Sequence, residues 1–140
     1  MYLAKVFIID DDSAVRTALS RLMKSAGIAC DTFPSGESVL AAFKNGDQGC
    51  VVLDYHMPGS DGPDVLKIMA ETRVPIPVIM LSAHDDPETR ERARSLGAVA
   101  FFRKPVDGQA LLDAIAWAME TFERTSSPDV AVWQKPNKGE

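Results

Sequence analysis

The sequence predicts an α/β protein in which a parallel five-stranded sheet is covered by helices on both faces. Five short apolar runs, each bounded by turn residues, alternate with segments of helical spacing. The runs are continuously apolar, which is typical of strands buried on both faces of a parallel sheet. With 140 residues, of which 46% are hydrophobic and 25% are charged, the chain is long enough for one domain with an ordinary core.

The first two strands and helices occupy the amino-terminal third of the chain. The apolar run Val6-Phe7-Ile8-Ile9 is the first strand, and it ends at three consecutive aspartates. Ser13 is the expected N-cap of the first helix, whose apolar residues recur at helical spacing until Gly27. Residues 28–33 form a second strand with fewer apolar residues, as suits an outer strand. The apolar positions of 39–43 mark a short second helix.

The third and fourth strands are the most apolar parts of the chain. They cover Cys50 to Leu53 and Val78 to Leu81, and a third helix lies between them through the apolar positions of 65–69. Pro75 and Pro77 exclude a helix immediately before the fourth strand. Both strands are therefore expected in the middle of the sheet.

The fourth helix, residues 88–96, differs from the others because it is highly charged. Asp86 and Pro87 suit its N-cap and its first helical position. Because it has few apolar residues to pack, we expect it to be among the less firmly held elements. The fifth strand, residues 100–103, precedes a last amphipathic helix that ends near residue 124.

Composition indicates the domain organisation and the cellular location of the protein. We expect one domain over residues 1–124 and a tail or linker over 125–140, where Ser, Pro and Lys become frequent. No apolar segment approaches the roughly 18 residues of a membrane span. The net charge of −5 without a basic run argues against a nucleic-acid surface, and no helix-turn-helix pattern is present. Cys30 and Cys50 lack metal-ligand or CxxC spacing and are expected to be reduced thiols, which predicts a cytoplasmic protein with no membrane contact.

Three carboxylates are expected to meet at one edge of the sheet. In the flavodoxin-like strand order 2-1-3-4-5, the ends of the first and third strands lie side by side, so Asp10 and Asp11 approach Asp54. Two such charges about 4 Å apart repel by about 4 kcal/mol at an effective dielectric constant of roughly 20. Either a carboxyl pKa rises or a divalent cation is bound. An open site of oxygen ligands suits Mg²⁺, which commonly shares its shell with water and phosphate.

Two further polar residues follow the remaining central strands at the same edge. Ser82 ends the fourth strand and can donate a hydrogen bond to a phosphoryl oxygen, while Lys104 follows the fifth and can neutralise its charge. Considered one at a time, each of these residues has an ordinary structural explanation. The aspartates could be helix-capping acids, Ser82 a turn residue and Lys104 a surface lysine. Their joint position favours a phosphoryl-transfer site with Asp54 as the acceptor.

Four motifs occur in order over residues 4–124. They are Phe7-Ile8-Ile9-Asp10-Asp11, Asp54 with Met57-Pro58 and Asp61-Gly62, Leu81-Ser82-Ala83, and Phe101-Phe102-Arg103-Lys104-Pro105. With these motifs the chain resembles the receiver domain of bacterial two-component response regulators, whose fold is the chemotaxis-regulator-like (βα)5 arrangement. The segments Leu81-Ser82-Ala83-His84-Asp85 and Ala98-Val99-Ala100-Phe101-Phe102 are most similar to receivers that precede a LuxR-type helix-turn-helix.

The resemblance implies the chemistry of the acidic residues. Asp54 is expected to accept a phosphoryl group from the phosphohistidine of a histidine kinase or of a histidine phosphotransfer protein. Asp11, Asp54 and the backbone carbonyl of His56 are expected to bind Mg²⁺ directly, and Asp10 through water. The domain would assist its own phosphorylation and dephosphorylation without being an enzyme.

The resemblance also implies how the signal leaves the site. Lys104 is expected to pair with the phosphate, Ser82 to donate a hydrogen bond to it, and the Lys104–Pro105 peptide bond to be cis. Phe101 would be the aromatic switch that moves inward as Ser82 moves towards the phosphate. Ser82 stands where the family often has Thr, and Phe101 stands in place of Tyr, so the phenol donor is absent. The surface over 88–124 is the expected output face and could also form a homodimer.

The two histidines of the chain each lie two residues beyond a site residue. His56 follows Asp54 and His84 follows Ser82, so both are expected to flank the phosphoryl group. We interpret them as rate-tuning residues whose protonation near pH ~6.5 alters the lifetime of the phosphoryl group. The alternative is two exposed loop histidines without influence.

Other functions fit the sequence less well. The main alternative is a metal-dependent phosphatase or phosphotransferase with an aspartyl nucleophile, as in haloacid-dehalogenase-type enzymes. Those enzymes place the nucleophile after the first strand, where Asp10-Asp11-Asp12-Ser13 matches only in part, and the chain lacks the length for a cap domain. The intact acidic residues argue against an interaction module that works without phosphorylation, and no GxGxxG or Walker pattern indicates a nucleotide site. The kinase, the signal, the output and the completeness of the chain stay open.

Overall fold

The computed structural model describes residues 4–43, 47–59 and 61–125, with side chains described as far as residue 120. Five strands and five helices alternate within these ranges. The strands are β1 (Lys5–Ile9), β2 (Cys30–Phe33), β3 (Gly49–Asp54), β4 (Val78–Ser82) and β5 (Ala100–Arg103). The helices are α1 (Ser13–Ser25), α2 (Gly36–Ala42), α3 (Gly62–Glu71), α4 (Pro87–Ser95) and α5 (Gly108–Thr125). The predicted tail lies, after residue 125, outside the described residues.

The strands form one parallel sheet in the order β2-β1-β3-β4-β5, which confirms the predicted fold class. Strand β1 pairs with β3 so that Ile9 stands beside Leu53, and β3 pairs with β4 so that Asp54 stands beside Leu81. Because all strands are parallel, their carboxyl ends meet at one edge of the sheet. The register places the residues that follow β1, β3, β4 and β5 next to one another at that edge.

The core has two layers, one on each face of the sheet. Helices α1 and α5 cover one face, where Leu19 and Met23 pack with Leu111 and Ile115. Helices α2, α3 and α4 cover the other face. Helix α4 contributes a single buried residue, Ala93, between Pro87 and Ser95. A fully buried Leu or Ile stabilises a protein by about 1.5–3 kcal/mol, so α4 is held by much less apolar burial than α5.

Aspartate side chains cap four of the helices, α1, α3, α4 and α5. The side chain of Asp86 accepts a hydrogen bond from the Thr89 N–H and caps α4, with Pro87 at the first position as predicted. The prediction that Ser13 caps helix α1 was wrong, because the N-cap is Asp12. Asp12 has the extended backbone of an N-cap residue, and its carboxylate accepts the Ala14 N–H at 2.9 Å, so the helix begins one residue earlier.

Three further expectations from the sequence can be compared with the structure. The Lys104–Pro105 peptide bond is cis, in agreement with the resemblance. Cys50 is buried and Cys30 is half-buried, and both thiols are free. No helix within the described ranges is both long and apolar enough to cross a membrane.

Candidate functional site

An acidic pocket lies where β1 and β3 end. Asp10 follows β1 and Asp54 is the last residue of β3, so the pairing of these strands sets them side by side. One carboxylate oxygen from each of Asp10, Asp11 and Asp54 lies within 4.8 Å of the others. Asp10 and Asp54 are buried, with relative exposures of 1% and 5%, whereas Asp11 is exposed. The structure thus brings together the three carboxylates that the sequence predicted to meet.

Lys104 closes the pocket from the β5 side. Its ammonium donates to Asp10 Oδ2 at 2.9 Å and to Asp54 Oδ1 at 3.1 Å. Its backbone N–H donates to the Ser82 carbonyl at 2.7 Å, which holds the start of the β5–α5 loop against the end of β4. One cation is therefore shared by two buried carboxylates, and it is already placed where a phosphoryl group on Asp54 would need a counter-charge.

The loop between β1 and α1 is fixed around Asp10. The Asp12 N–H donates to Asp10 Oδ1 at 2.9 Å, and the Arg16 guanidinium donates to the Asp10 carbonyl oxygen at 2.6 Å. Arg16 was not predicted from the sequence as a site residue. Its signal was a cation in the first turn of a helix, where the helix dipole disfavours positive charge unless a local acceptor compensates.

Gly62 fixes the loop that follows Asp54. Its N–H donates to the Tyr55 carbonyl at 2.9 Å, and a Cβ atom at this position would lie 2.5 Å from the Asp54 carbonyl oxygen. No side chain fits such an approach without moving the backbone. The close packing against Asp54 therefore explains why glycine follows Asp61 at the start of α3.

Burial and like charge act together on Asp54. Desolvation, and after it the charge of Asp10, raise the pKa of Asp54 from 3.8 to about 6, although Lys104 opposes the rise. For Lys104, burial lowers the pKa, but its hydrogen bonds to Asp10 and Asp54 and their negative charges outweigh burial and raise it. Lys104 stays charged at neutral pH. Its single positive charge cannot neutralise the three carboxylates of Asp10, Asp11 and Asp54.

The pocket fits a small divalent cation. Three carboxylates offer oxygen ligands close together, and the exposed side of Asp11 leaves room for coordinated water and a phosphate oxygen. Burial and, after it, the charge of Asp10 raise the pKa of Asp54, and a bound cation would oppose both effects by favouring the ionised carboxylate. The predicted contribution of the His56 backbone carbonyl stays a prediction.

Ser82 is fully buried at the end of β4. The register puts Leu81 beside Asp54, so Ser82 is one residue further on the neighbouring strand. Its hydroxyl oxygen accepts the His84 N–H at 3.0 Å, which leaves the hydroxyl proton available for donation.

Phe101 lies on β5 and is fully buried. The Arg90 guanidinium carbon lies 5.1 Å from the centre of its ring, and Arg90 also donates to Asp85 Oδ1 at 2.9 Å. The aromatic residue expected to move inward on phosphorylation is thus already inside in this structure. Arg90, to which the sequence assigned no role in the site, connects α4 with both the β4–α4 loop and the aromatic ring.

The two histidines meet across the site. The rings of His56 and His84 are both exposed, their centres are 5.2 Å apart and their planes are at 86°. The Tyr55 ring packs on His56 with its centre 4.6 Å away. The sequence predicted that both histidines flank the pocket, but it did not predict their contact.

Comparison with known proteins agrees with this site. A family model described as the response regulator receiver domain matches residues 6–116. Transcriptional regulatory protein FixJ of Bradyrhizobium diazoefficiens is 36% identical over 118 residues, which cover 84% of this chain and 58% of FixJ. Response regulator protein TodT of Pseudomonas putida is 37% identical over 128 residues, which cover 90% of this chain and 56% of TodT.

A solved structure described as FixJ-N has a TM-score of 0.76 to this chain at 31% identity, and the alignment covers 86% of this chain and 96% of that one. The chain spans less than two thirds of the length of FixJ and TodT. The family match covers most of the chain and includes every strand end that forms the acidic pocket. The chain belongs to the response regulator receiver domains of two-component systems.

Proposed function

We propose that this receiver domain accepts a phosphoryl group on Asp54 from the phosphohistidine of a histidine kinase or of a histidine phosphotransfer protein. The observation that carries the proposal is the environment of Asp54, which is buried at the carboxyl edge of the sheet between a second buried carboxylate and a lysine. Asp11 adds a third carboxylate. Such a site combines a nucleophile, ligands for Mg²⁺ and a counter-charge.

The reaction at Asp54 is a phosphoryl transfer to a carboxylate. One carboxylate oxygen forms a bond to phosphorus while the bond from phosphorus to the donor imidazole breaks, which leaves an acyl phosphate on Asp54. Asp10, Asp11, Asp54 and the His56 carbonyl would hold Mg²⁺, which supplies positive charge for the phosphoryl oxygens. Because the pKa of Asp54 is about 6, the carboxylate is mostly ionised and nucleophilic at neutral pH.

Lys104 and Ser82 bind the product. A phosphoryl group adds roughly −1.5 to −2 charge, and the Lys104 ammonium beside Asp54 neutralises part of it. The Ser82 hydroxyl donates to a phosphoryl oxygen from the neighbouring strand. Each hydrogen bond to a charged group contributes about 1.5–3 kcal/mol, and two approach the ~5.5 kcal/mol that moves a population from about 1:99 to 99:1.

Phosphorylation changes the position of α4 through Ser82 and the loop that follows it. When the Ser82 hydroxyl turns to the phosphate, the loop from Ser82 to Asp86 shifts, and Asp85 carries Arg90 with it because the two are ion-paired. Arg90 contacts the Phe101 ring, so a shift of Arg90 moves α4 and changes the packing on the ring at the same time. Because α4 buries little apolar surface, its movement costs little free energy. The output surface is then α4, β5 and α5, residues 88–124.

The domain sets the lifetime of its own phosphoryl group rather than turning over a separate substrate. His56 and His84 are exposed, their rings are in contact, and each lies two residues beyond Asp54 or Ser82 on the loops that follow β3 and β4. We assign them the tuning of the rate at which the acyl phosphate is hydrolysed. Dephosphorylation rates of His56→Asn and His84→Ala that equal the parent rate at pH 5.5 and at pH 8 would contradict the assignment.

The wider setting is part of the same proposal. The histidine kinase partner implies a cytoplasmic receiver, and the 88–124 face is a surface for homodimerisation as well as output. Similarity around Ser82 and Phe101 supports a receiver of the kind that precedes a LuxR-type helix-turn-helix. Consistent with this, the related FixJ is longer than this chain and is described as a transcriptional regulatory protein. DNA binding would belong to such an additional domain and not to residues 1–124.

Phosphate-affinity electrophoresis after incubation with acetyl phosphate tests the proposed function. We expect one slower band that requires Mg²⁺, disappears with EDTA and is absent from Asp54→Asn. Asp12→Asn is the matched control, because Asp12 is a neighbouring acid whose side chain only caps α1. A Mg²⁺-dependent band in Asp54→Asn, or steady turnover of a phosphomonoester by the parent, would contradict the proposal.

A further inference from the structure

We propose that His56 and His84 form a second metal site, for a transition-metal ion of the Zn²⁺ class, at the mouth of the acidic pocket. The two imidazoles come from the loops after β3 and β4, and they are the only histidines of the chain. Neither belongs to the set of carboxylates that fits Mg²⁺.

The separation of the two rings suits one shared ion. The ring centres are 5.2 Å apart in the structure. Two imidazoles that bind one tetrahedral ion through metal–nitrogen bonds of about 2.0–2.1 Å have their centres about 5.3 Å apart. The distance between the rings therefore fits a shared ion, whereas their planes, at 86°, require both imidazoles to turn about their side-chain bonds before one nitrogen of each faces it.

Both loops are already fixed where they carry the histidines. The His84 N–H is bound by the Ser82 hydroxyl at 3.0 Å, and the His56 ring rests on the buried Tyr55. Gly62 ties the loop of His56 back through its hydrogen bond to the Tyr55 carbonyl. Because the backbone at both histidines is held before the ion arrives, only the two side chains lose conformational entropy on binding.

The two sites select different ions. The pocket of Asp10, Asp11 and Asp54 offers only carboxylate oxygens, which suit Mg²⁺. Imidazole nitrogens suit Zn²⁺, Ni²⁺ and Cu²⁺ instead. Among the residues that the structure describes, no third His, Cys, Asp or Glu joins the two histidines in a metal-binding group. Water fills the remaining positions, so binding is weaker than in four-ligand structural zinc sites.

An ion in this position bridges the loop after β3 to the loop after β4. Its binding holds His84 in place, and His84 in turn keeps its N–H on the Ser82 hydroxyl. The loop after β4 is then restrained in the arrangement seen here, and the path to Asp54 is narrowed. On the basis of the proposed function, which this consequence deepens, Zn²⁺ slows the phosphorylation of Asp54.

Ring signals in NMR spectra provide a direct test of binding. Untagged protein with saturating Mg²⁺ contains two histidine rings, so its imidazole spectrum shows two sets of signals. We expect both sets to shift together and to saturate at one equivalent of Zn²⁺. His84→Gln and His56→Gln should each weaken binding by at least about tenfold in calorimetry. Shifts of one ring only, or undiminished affinity in either variant, would overturn the site.

Kinetics test the consequence separately. With acetyl phosphate and saturating Mg²⁺, one equivalent of bound Zn²⁺ should slow phosphorylation of the parent but not of His84→Gln. An unchanged parent rate with Zn²⁺ bound would overturn the regulatory part of the inference. Absence of any phosphorylation without Zn²⁺ would instead refute the proposed function and leave the ring signals to decide the metal site.

Discussion

Replacing Asp54 with Asn should raise the free energy of unfolding of the metal-free protein at neutral pH. The substitution keeps the shape of the side chain and a carbonyl oxygen that can accept from Lys104. It removes a negative charge that is buried, 5% exposed, beside Asp10. The variant therefore separates the energetic strain of the site from its chemistry.

The size of the effect follows from the pKa of Asp54. A folded-state value of about 6 against the usual 3.8 means that the folded protein binds this proton more tightly than the unfolded chain. Stability is then lost as the pH rises from 3.8 through about 6, and the full loss at pH 7.5 is about 3 kcal/mol at about 1.36 kcal/mol per pKa unit. The weaker hydrogen bond from Lys104 to a neutral amide offsets part of the gain, which leaves about 1–3 kcal/mol.

Urea denaturation in EDTA at pH 7.5, 6.0 and 5.0 measures this difference. The electrostatic advantage of Asp54→Asn over the parent should be largest at pH 7.5 and should fall to about half of that value at pH 5.0. It disappears only below about pH 3.8, where Asp54 is protonated in the unfolded chain as well. Asp12→Asn, a change at an exposed acid, should lack this pH dependence. A variant less stable than the parent at pH 7.5, or an advantage independent of pH, would refute the electrostatic account of the pocket.

Three further substitutions probe the surrounding contacts. Lys104→Met keeps the aliphatic stem but leaves Asp10 and Asp54 without their shared cation, so unfolding in EDTA at pH 7.5 should become easier by about 2 kcal/mol; a gain in stability would contradict this. Ser82→Ala should slow phosphorylation by acetyl phosphate about tenfold while Ser82→Thr keeps the rate, and equal rates would remove the hydroxyl from the mechanism. Arg90→Gln should cost about 0.5–1 kcal/mol of stability and speed amide exchange in α4, whereas unchanged exchange would mean that Arg90 does not hold the helix.

The sheet and the acidic pocket could be predicted because each depends on patterns local to the sequence. Continuous apolar runs marked the strands, and the parallel order then required the residues after them to converge. The sequence therefore predicts that one site contains Asp10, Asp11, Asp54 and Lys104, as the structure shows. The small apolar contribution of α4 was predictable in the same way, because its residues are mostly charged.

Contacts that depend on side-chain direction were not predictable. Three consecutive aspartates before Ser13 offer competing caps one residue apart, and only the backbone conformation selects Asp12. The reach of Arg16 to the Asp10 carbonyl depends on the path of the turn between them. The pairing of Arg90 with Phe101 joins a helix to a strand, and such a contact is set by tertiary packing.

The meeting of His56 and His84 belongs to the same class. Sequence position places each histidine two residues beyond a site residue, but their loops follow different strands. Whether the rings touch depends on the adjacent positions of β3 and β4 and on the turns that follow. The sequence therefore predicts that both histidines flank the site but not that their rings are in contact.

Intact mass spectrometry of the protein after incubation with acetyl phosphate and Mg²⁺ tests the central claim most directly. We predict that the parent and Asp12→Asn each gain the mass of one phosphoryl group, and that Asp54→Asn gains none. A parent that binds Mg²⁺ but acquires no phosphoryl group, or an Asp54→Asn variant that acquires one as readily as the parent, would contradict the assignment of Asp54 as the phosphoacceptor.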